Sequence, residues 1–596
     1  MNKAVPAVRL REACAAALAA CACASWLGAY FGEAYGGVSA LVACWFLFLS
    51  SRALRPQART SRACALLGAL FALWRVLGFS YDAIDSYGYV MHGARTMLRS
   101  ALAWLALACA AACALNLLFA LLTRAGERLG GEREPSDGEC AKLFFLCAGV
   151  IFAGTIPYLI LYAPGLNIFD THDQILQFFG FPSYIGDGGA LSDHHPVFLT
   201  LVYGGFMRLG LLLGDTNIGQ LLYSLLSSAA VTAGFALTLV ELRRGGLRAG
   251  AVIALAVGIA LYPVLALYSF NMCKDVSAAP FVLLLIAQML RMERTRGAAM
   301  KSRGFAIGVF ACALMLMLVR KPSVYALLFA LPFMLWRYPG VRVRLAAAML
   351  GAAVLFEGYS AILLPACGVI PGETREMLSI PFQQMARVLA TDDDLTDEER
   401  EAVSRVLDLD YARENYDPRL SDPVKDSSNP DMDAGDLAAF ASAWARVGLR
   451  HPGAYLDAWL NMIYGYFYPS DSNTIVCLTL NSPDRGGVTL RQSPALEGAR
   501  DELRNIIAYR LRPLPGVGAL FYVDTVTWAF LALAAFLAVK RGIGATFPYM
   551  FFAGTLGICL LSPKSGEIRY LLPVLYALPV LLGAALSLPE GREDRP

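Results

Sequence analysis

Apolar runs of about 20 residues recur along the whole chain, each long enough to cross a hydrocarbon core of about 30 Å. This constrains the fold more than any other feature, because a backbone in lipid must satisfy its own hydrogen bonds and a helix does so within one segment. Of the 596 residues, 57% are hydrophobic and 16% charged, with a mean hydropathy of +0.53, which excludes a soluble enzyme. The net charge of +3 is no polyanion footprint, since Lys and Arg gather in short loops between the apolar runs. The bilayer is the expected partner and nucleic acid is not. The sequence predicts an all-α polytopic membrane protein of about 14 spans.

The spans are read at 12–31, 36–50, 63–80, 99–122, 143–163, 218–241, 249–269, 275–291, 303–319, 323–337, 343–363, 519–539, 545–562 and 569–588. The first has a basic start but no evident A-x-A cleavage site, so it reads as a retained helix and not a signal peptide. Basic loops set the sides: Arg52, Arg55, Arg59 and Arg62, then Arg124 to Lys142, Arg243 to Arg248, Arg291 to Arg303, Arg337 to Arg344, and Lys540 with Arg541. This pattern is self-consistent only if 196–213, which carries Arg208 and a Gly204-Gly205 pair, lies at the interface or dips in without crossing. Both termini are then cytoplasmic in a cell membrane, and 164–217 and 364–518 are outside. The organisation reads as an N-terminal four-helix extension (1–142), a membrane core (143–363), an extracytoplasmic segment (364–518) and C-terminal membrane helices (519–596). Most of the 14 cysteines lie in spans, and Cys367 and Cys477 are the outside pair that could bridge.

Between two spans, Pro164–Pro196 reads PGLNIFDTHDQILQFFGFPSYIGDGGALSDHHP. It holds Asp170, Asp173, Asp187 and Asp193, three of the five histidines (His172, His194, His195), and no Lys or Arg. Such a concentration in a hydrophobic chain marks a candidate active site. On a helix, Asp170 and Asp173 share a face with Gln174 beside Asp170, so one carboxylate could take a proton while the other orients a hydroxyl or holds a cation. The competing reading makes Asp170 the N-cap of a helix over 171–180. Asp193 could likewise cap the helix that Pro196 opens. Of the adjacent His194 and His195, only one should face any given point, as proton donor or phosphate ligand. His172, His194 and Asp193 are the candidate ligands of a divalent metal, although they follow no established ligand spacing.

Charges also stand at outer helix ends: Lys274-Asp275, Arg320-Lys321, and Lys564, Glu567, Arg569 and Tyr570 before the last span. Cations on the outer side break the positive-inside trend, and a lipid phosphate would account for them. The bland alternative is that Lys274–Asp275 and Glu567–Arg569 pair with one another. In the large outside segment, Thr396 and Glu399 form a capping box for a helix through Leu407. PDMDAGD (Pro430–Asp436) only faintly suggests a calcium loop, and the aromatic stretch Tyr455–Tyr468 reads as a helix resting on the outer interface.

The order PG-x-x-x-x-D-x-x-x-Q (Pro164, Gly165, Asp170, Gln174), HP (His195, Pro196), KD (Lys274, Asp275) and E-x-R-Y (Glu567, Arg569, Tyr570) resembles the GT-C superfamily of integral-membrane glycosyltransferases. Relatives in that superfamily include the protein O-mannosyltransferases and the lipid A aminoarabinose transferases. The SIPFQQMAR run (Ser379–Arg387) is similar to a bacterial subgroup of GT-C-like proteins. The resemblance spans roughly 143–588 and implies inverting transfer of a sugar, on the outer face, from a polyprenyl-phosphate donor to a cell-envelope acceptor. It implies Asp170 as general base, with Asp173 and His194 beside it. Gln174, His195, Lys274, Asp275, Arg320, Lys564, Glu567, Arg569 and Tyr570 would then bind substrate. A divalent metal is used by some members and not by others. Where the mannosyltransferases carry a paired Asp-Glu, Asp170 is followed by Thr171, so the acceptor class stays open. The alternatives are a transporter or flippase of lipid-linked saccharides, a ligase or polymerase of them, and a noncatalytic scaffold.

Overall fold

A computed structural model describes residues 10–32, 37–54, 56–131, 133–184, 188–470, 475–514 and 516–587; Arg55 and Asp187 lie outside the described residues. Helices dominate. The N-terminal extension comprises α1 (Leu10–Phe31), α2 (Val38–Leu54), α3 (Ala58–Ile84) and α4 (Ala94–Leu129). Next come α5 (Asp137–Leu161), strand β1 (Leu166–Asn167), α6 (Phe169–Phe178), α7 (Val197–Leu212) and α8 (Thr216–Arg244). A bent pair α9 (Ala249–Leu261) and α10 (Pro263–Ser269) leads to strand β2 (Asn271–Met272) and the span α11 (Lys274–Arg294). After α12 (Arg303–Val319), α13 (Ser323–Arg337) and α14 (Arg342–Gly358) comes the large segment, with α15 (Ser379–Thr391), α16 (Asp397–Ser404), α17 (Ala434–Arg450), α18 (Pro452–Ile463) and α19 (Glu497–Asn505). The chain closes with α20 (Val523–Arg541), α21 (Met550–Cys559) and α22 (Ile568–Ser587).

Among the described residues, nine helices are long and apolar enough to cross a membrane, or ten if the pair α9–α10 is one span. The protein is an all-α polytopic membrane protein by that measure, but the expected count of about 14 is not reached. The shortfall is in length. The helices at 38–54, 303–319 and 323–337 have 17, 17 and 15 residues, and Ile543–Cys559 also falls short of the roughly 20 that a perpendicular crossing needs. Helix α7, with 16 residues, is equally short. The pair α9–α10, expected as one span, bends by 73° at Pro263, where proline denies the ladder a donor.

Helices α11 and α22 are the most enclosed of the spans, packing on each other and on α8. Their apolar middle stretches, enclosed on most sides, are what a central position requires. The large segment has its own core of Phe382, Met385, Leu389, Val403, Val424 and Phe440. Its helix α16 opens with the expected capping box: the Thr396 backbone amide donates to Glu399 at 3.1 Å and the Glu399 amide to the Thr396 hydroxyl at 3.3 Å. That helix ends at Ser404, short of Leu407. Asp433, from the faint calcium motif, caps α17. The stretch 455–468 is largely buried against α3 and the loop before α22. Tyr81 of α3 donates to Asp457 at 2.8 Å, and Tyr464 to Asp82 at 3.1 Å, so the N-terminal extension is bonded to the large segment. Cys367 and Cys477 are both free thiols.

Candidate active site

The site is assembled by two short strands. β1 and β2 pair in parallel, Leu166 opposite Asn271 and Asn167 opposite Met272. Helix α6 begins just after β1 and α11 just after β2, so the pairing brings Asp170 to Lys274 across more than one hundred residues of chain. The Thr171 hydroxyl donates to the Met272 carbonyl and ties the two starts together. Gly165 is forced by the close passage of α8, because a Cβ there would collide with Ser224 and Gln220.

Lys274 Nζ stands 2.9 Å from Asp170 Oδ2, and Arg569 Nη1 stands 3.4 Å from the same oxygen. Arg569 Nε is 3.4 Å from Glu567 Oε1, and Lys564 Nζ is 2.8 Å from Glu567 Oε2. The array is therefore a chain of alternating charge running from Lys274 through Asp170, Arg569 and Glu567 to Lys564. Its inner members are partly shielded, while the Lys564 side chain is 50% exposed. Burial on its own would raise the Asp170 carboxyl, but Lys274 and then Arg569 outweigh it and hold the group well below the usual carboxylate range. For Glu567 burial is again the largest influence and Arg569 and Lys564 overcome it, so its carboxyl also titrates low. Asp170 is not a cap. Helix α6 begins at Phe169 with Ile168 at its N-cap, which leaves the Asp170 carboxylate to the cations.

The histidines diverge as adjacent residues should. His195 is buried close to Asp170 and Lys274, and burial followed by the Lys274 charge pushes it well below its ordinary range, leaving a neutral imidazole. Its Nδ1 has no hydrogen-bond partner among the described residues. His194 turns toward Glu373 and Glu376; burial lowers it while Glu376 opposes. Asp193 does not cap α7, whose N-cap is Pro196, but pairs with Lys321 at 2.8 Å and accepts from Ser360 at 3.3 Å.

Other expected site residues are placed elsewhere. The Asp173 carboxylate is 3.4 Å from His172 Nδ1, so Asp170 and Asp173 do not work as a pair on one group. Gln174 donates to the Pro196 carbonyl at 3.3 Å and to Thr200 at 3.1 Å, joining α6 to α7. Gly204 serves the same junction, since a Cβ there would strike the Phe178 ring. Lys274 and Asp275 do not pair with each other: Asp275 accepts from Arg320 Nε at 2.8 Å, with side chains only 2% and 3% exposed. Arg320 also donates to the Tyr570 carbonyl at 3.1 Å, so it and Asp275 form a buried tie among α11, α12 and α22, withdrawn from the cleft. Tyr570 contributes that carbonyl, and its ring lies 6.0 Å from the Arg569 guanidinium.

The metal ligands expected from the sequence do not form one set. His172 sits with Asp173, Asp193 with Lys321, and His194 with the two glutamates. Among the described residues the one group of three metal-type donors is His194, Glu373 and Glu376, with ligand atoms within 4.8 Å. Its carboxylates are already engaged: Glu373 by Arg375, and Glu376 by Lys425 at 2.7 Å.

Sequence reasoning gives no site role to Ser360 or Glu376 and singles out Lys321 only as a charge at an outer helix end; the structure gathers all three around the two histidines. The large segment also shapes the site loop. Ser421 donates through its amide to the Pro563 carbonyl at 2.8 Å, Ser565 to the Arg419 carbonyl at 2.9 Å, and Tyr466 to Ser562 at 2.9 Å. These bonds fix the loop that carries Lys564 and Glu567.

Neither the curated proteins nor the solved structures include a match to the chain. A family described as "Family of unknown function (DUF6020)" matches residues 186–593, a stretch that takes in the histidine pair, Lys274 and the loop from Lys564 to Tyr570 but begins after Asp170. That match covers well over half of the chain, and the protein belongs to this family.

Proposed function

We propose that the protein is an outer-face glycosyltransferase, moving a sugar from a polyprenyl-phosphate donor to a hydroxyl of a cell-envelope acceptor. The observation that carries this reading is one carboxylate, Asp170, bracketed by two cations at the edge of the membrane helices. Transfer with inversion needs a base for the acceptor hydroxyl and cations for the departing phosphate. Asp170 supplies the first, and Lys274 and Arg569 the second. Lys564, more exposed, would meet the phosphate first.

The resting pairing keeps Asp170 a weak base, because two cations hold it ionised and stabilised. An arriving phosphate competes for Lys274 and Arg569, and as they turn to it the Asp170 carboxylate regains basicity. The acceptor oxygen then bonds to the anomeric carbon while the bond from that carbon to the phosphate oxygen breaks. The electron pair leaves on the phosphate and the hydroxyl proton passes to Asp170. Sidedness rests on the opposite ends of the helices, where Arg243, Arg244, Arg294 and Arg337 cluster with Asp137, Glu134, Glu241 and Glu293 as a cytoplasmic face would.

The test is donor binding by the purified chain. Lys274→Gln and Arg569→Gln should each weaken retention of a polyprenyl-phosphate sugar by roughly tenfold or more, the loss of one charge-assisted bond. Unchanged retention in both variants would remove the reading.

A further inference from the structure

Away from the charged site, an apolar cavity of about 730 Å³ lies between α4 of the N-terminal extension and α9, α20 and α22 of the core. Leu118, Gly258, Ala529, Leu533 and Leu578 are among its walls. Leu118, Leu261 and Leu520 at its margin are exposed, so it opens sideways, to lipid if these helices span. Along α20 it runs from Thr525 to Leu533, about 12 Å at the helical rise and within the roughly 15 Å of one leaflet's hydrocarbon. Phe521 lines both this cavity and a second of about 360 Å³ on the site face, which holds Arg504 and Arg512. At the other end Leu122 is shared with a small cavity ringed by Glu127, Lys540 and Arg541, charges that would stop an acyl chain.

The geometry points to a binding site for an anionic glycerophospholipid of the leaflet on the site face, its acyl chain in the α4–α20–α22 cavity and its phosphate against Arg504 and Arg512. An apolar slot about one leaflet deep, with two guanidinium groups beyond Phe521 in the adjoining cavity, Arg504 paired there with Asp501 at 2.8 Å, matches that amphiphile in length and in charge. Arg512 is braced for the task, its guanidinium 4.4 Å from the Tyr522 ring and donating to the Ser470 carbonyl at 3.4 Å. A far longer isoprenoid chain would overrun the slot. The inference is independent of the transferase reading, because Asp170 and its cations take no part in it. It also gives the N-terminal extension a task, since without α4 the cavity loses a wall.

Native mass spectrometry of the full chain released from nanodiscs of mixed phosphatidylcholine and phosphatidylglycerol tests it. The wild type should keep phosphatidylglycerol in preference to phosphatidylcholine. Ala529→Phe, which fills the slot, should abolish the adduct, and Arg504→Gln and Arg512→Gln should each weaken it about tenfold or more. Arg504 is a half-exposed side chain, so its variant keeps the test open if Ala529→Phe fails to fold. Equal retention of both lipids, an adduct unchanged in the Arg504 and Arg512 variants, or displacement of phosphatidylglycerol by an isoprenyl monophosphate would overturn the assignment.

Discussion

Replacing Arg320 by Met separates two accounts of the same cation. By its position at a helix end it could hold a donor phosphate; by its contacts it is the partner of Asp275. The pair is almost fully enclosed, 3% and 2% exposed, with Nε to Oδ1 at 2.8 Å, and Asp275 Oδ2 has no hydrogen-bond partner among the described residues. Removing the guanidinium strands a buried carboxylate and takes a donor from the Tyr570 carbonyl, which should cost about 3–5 kcal/mol. Asp275→Leu alone strands the guanidinium instead, with a similar penalty. The double variant should be more stable than the sum of the two by about 1–3 kcal/mol, since neither charge is then left without its partner. The assay is reversible unfolding of the purified chain in mixed micelles, read as a double-mutant cycle. If Arg320→Met is as stable as wild type and loses only donor binding, the buried-tie account is wrong and Arg320 is a phosphate ligand.

Three further outcomes follow from the same contacts. Lys274→Met should raise the Asp170 titration toward the ordinary value of about 3.9. Because that carboxyl is depressed in the fold, the pair's stabilisation is present above about pH 3.9 and fades as pH falls through the lower folded value, so wild type and variant should converge in acid unfolding curves. The Glu399 carboxyl is pulled down to about 2, chiefly by its hydrogen bonds with Arg450 at 2.7 Å. Arg450→Gln should therefore destabilise the large segment at neutral pH, with the difference shrinking as pH falls toward and below about 2, as tryptophan fluorescence would report. Gly204→Leu should drive α6 from α7 at about 1–3 kcal/mol, seen as a lowered melting temperature, where the same change at exposed Gly205 should be tolerated.

The membrane class and the residues of the site were legible in the sequence because burial of charge in an apolar chain is expensive and therefore informative. Asp170, Lys274, Lys564 and Arg569 were all found by that argument, and the structure brings them into one array. Their pairing was not legible. It depends on a two-residue parallel ladder between Leu166–Asn167 and Asn271–Met272, too short to carry an alternating pattern. Arg320 was misplaced for a related reason: charge at a helix end marks cost, and only packing decides whether the charge faces a cleft or a buried partner. Of the two sequence readings, the cap reading needs a helix that starts at 171, whereas α6 starts at Phe169, a boundary difference of the size that local sequence does not fix. The bend at Pro263 is hidden in the sequence because the apolar run continues through the proline and reads as one span. Hydropathy likewise registered every apolar helix but not its length, which is why about 14 spans were expected where nine or ten are long enough.

The most direct measurement is sugar transfer from polyprenyl-phosphate donors by the purified chain, with wild type, Asp170→Asn and Asp173→Asn side by side. The account predicts that Asp170→Asn retains donor binding and loses transfer by about 100-fold or more, the usual share of a general base, while Asp173→Asn stays within a few fold of wild type. Equal transfer by wild type and Asp170→Asn would contradict it.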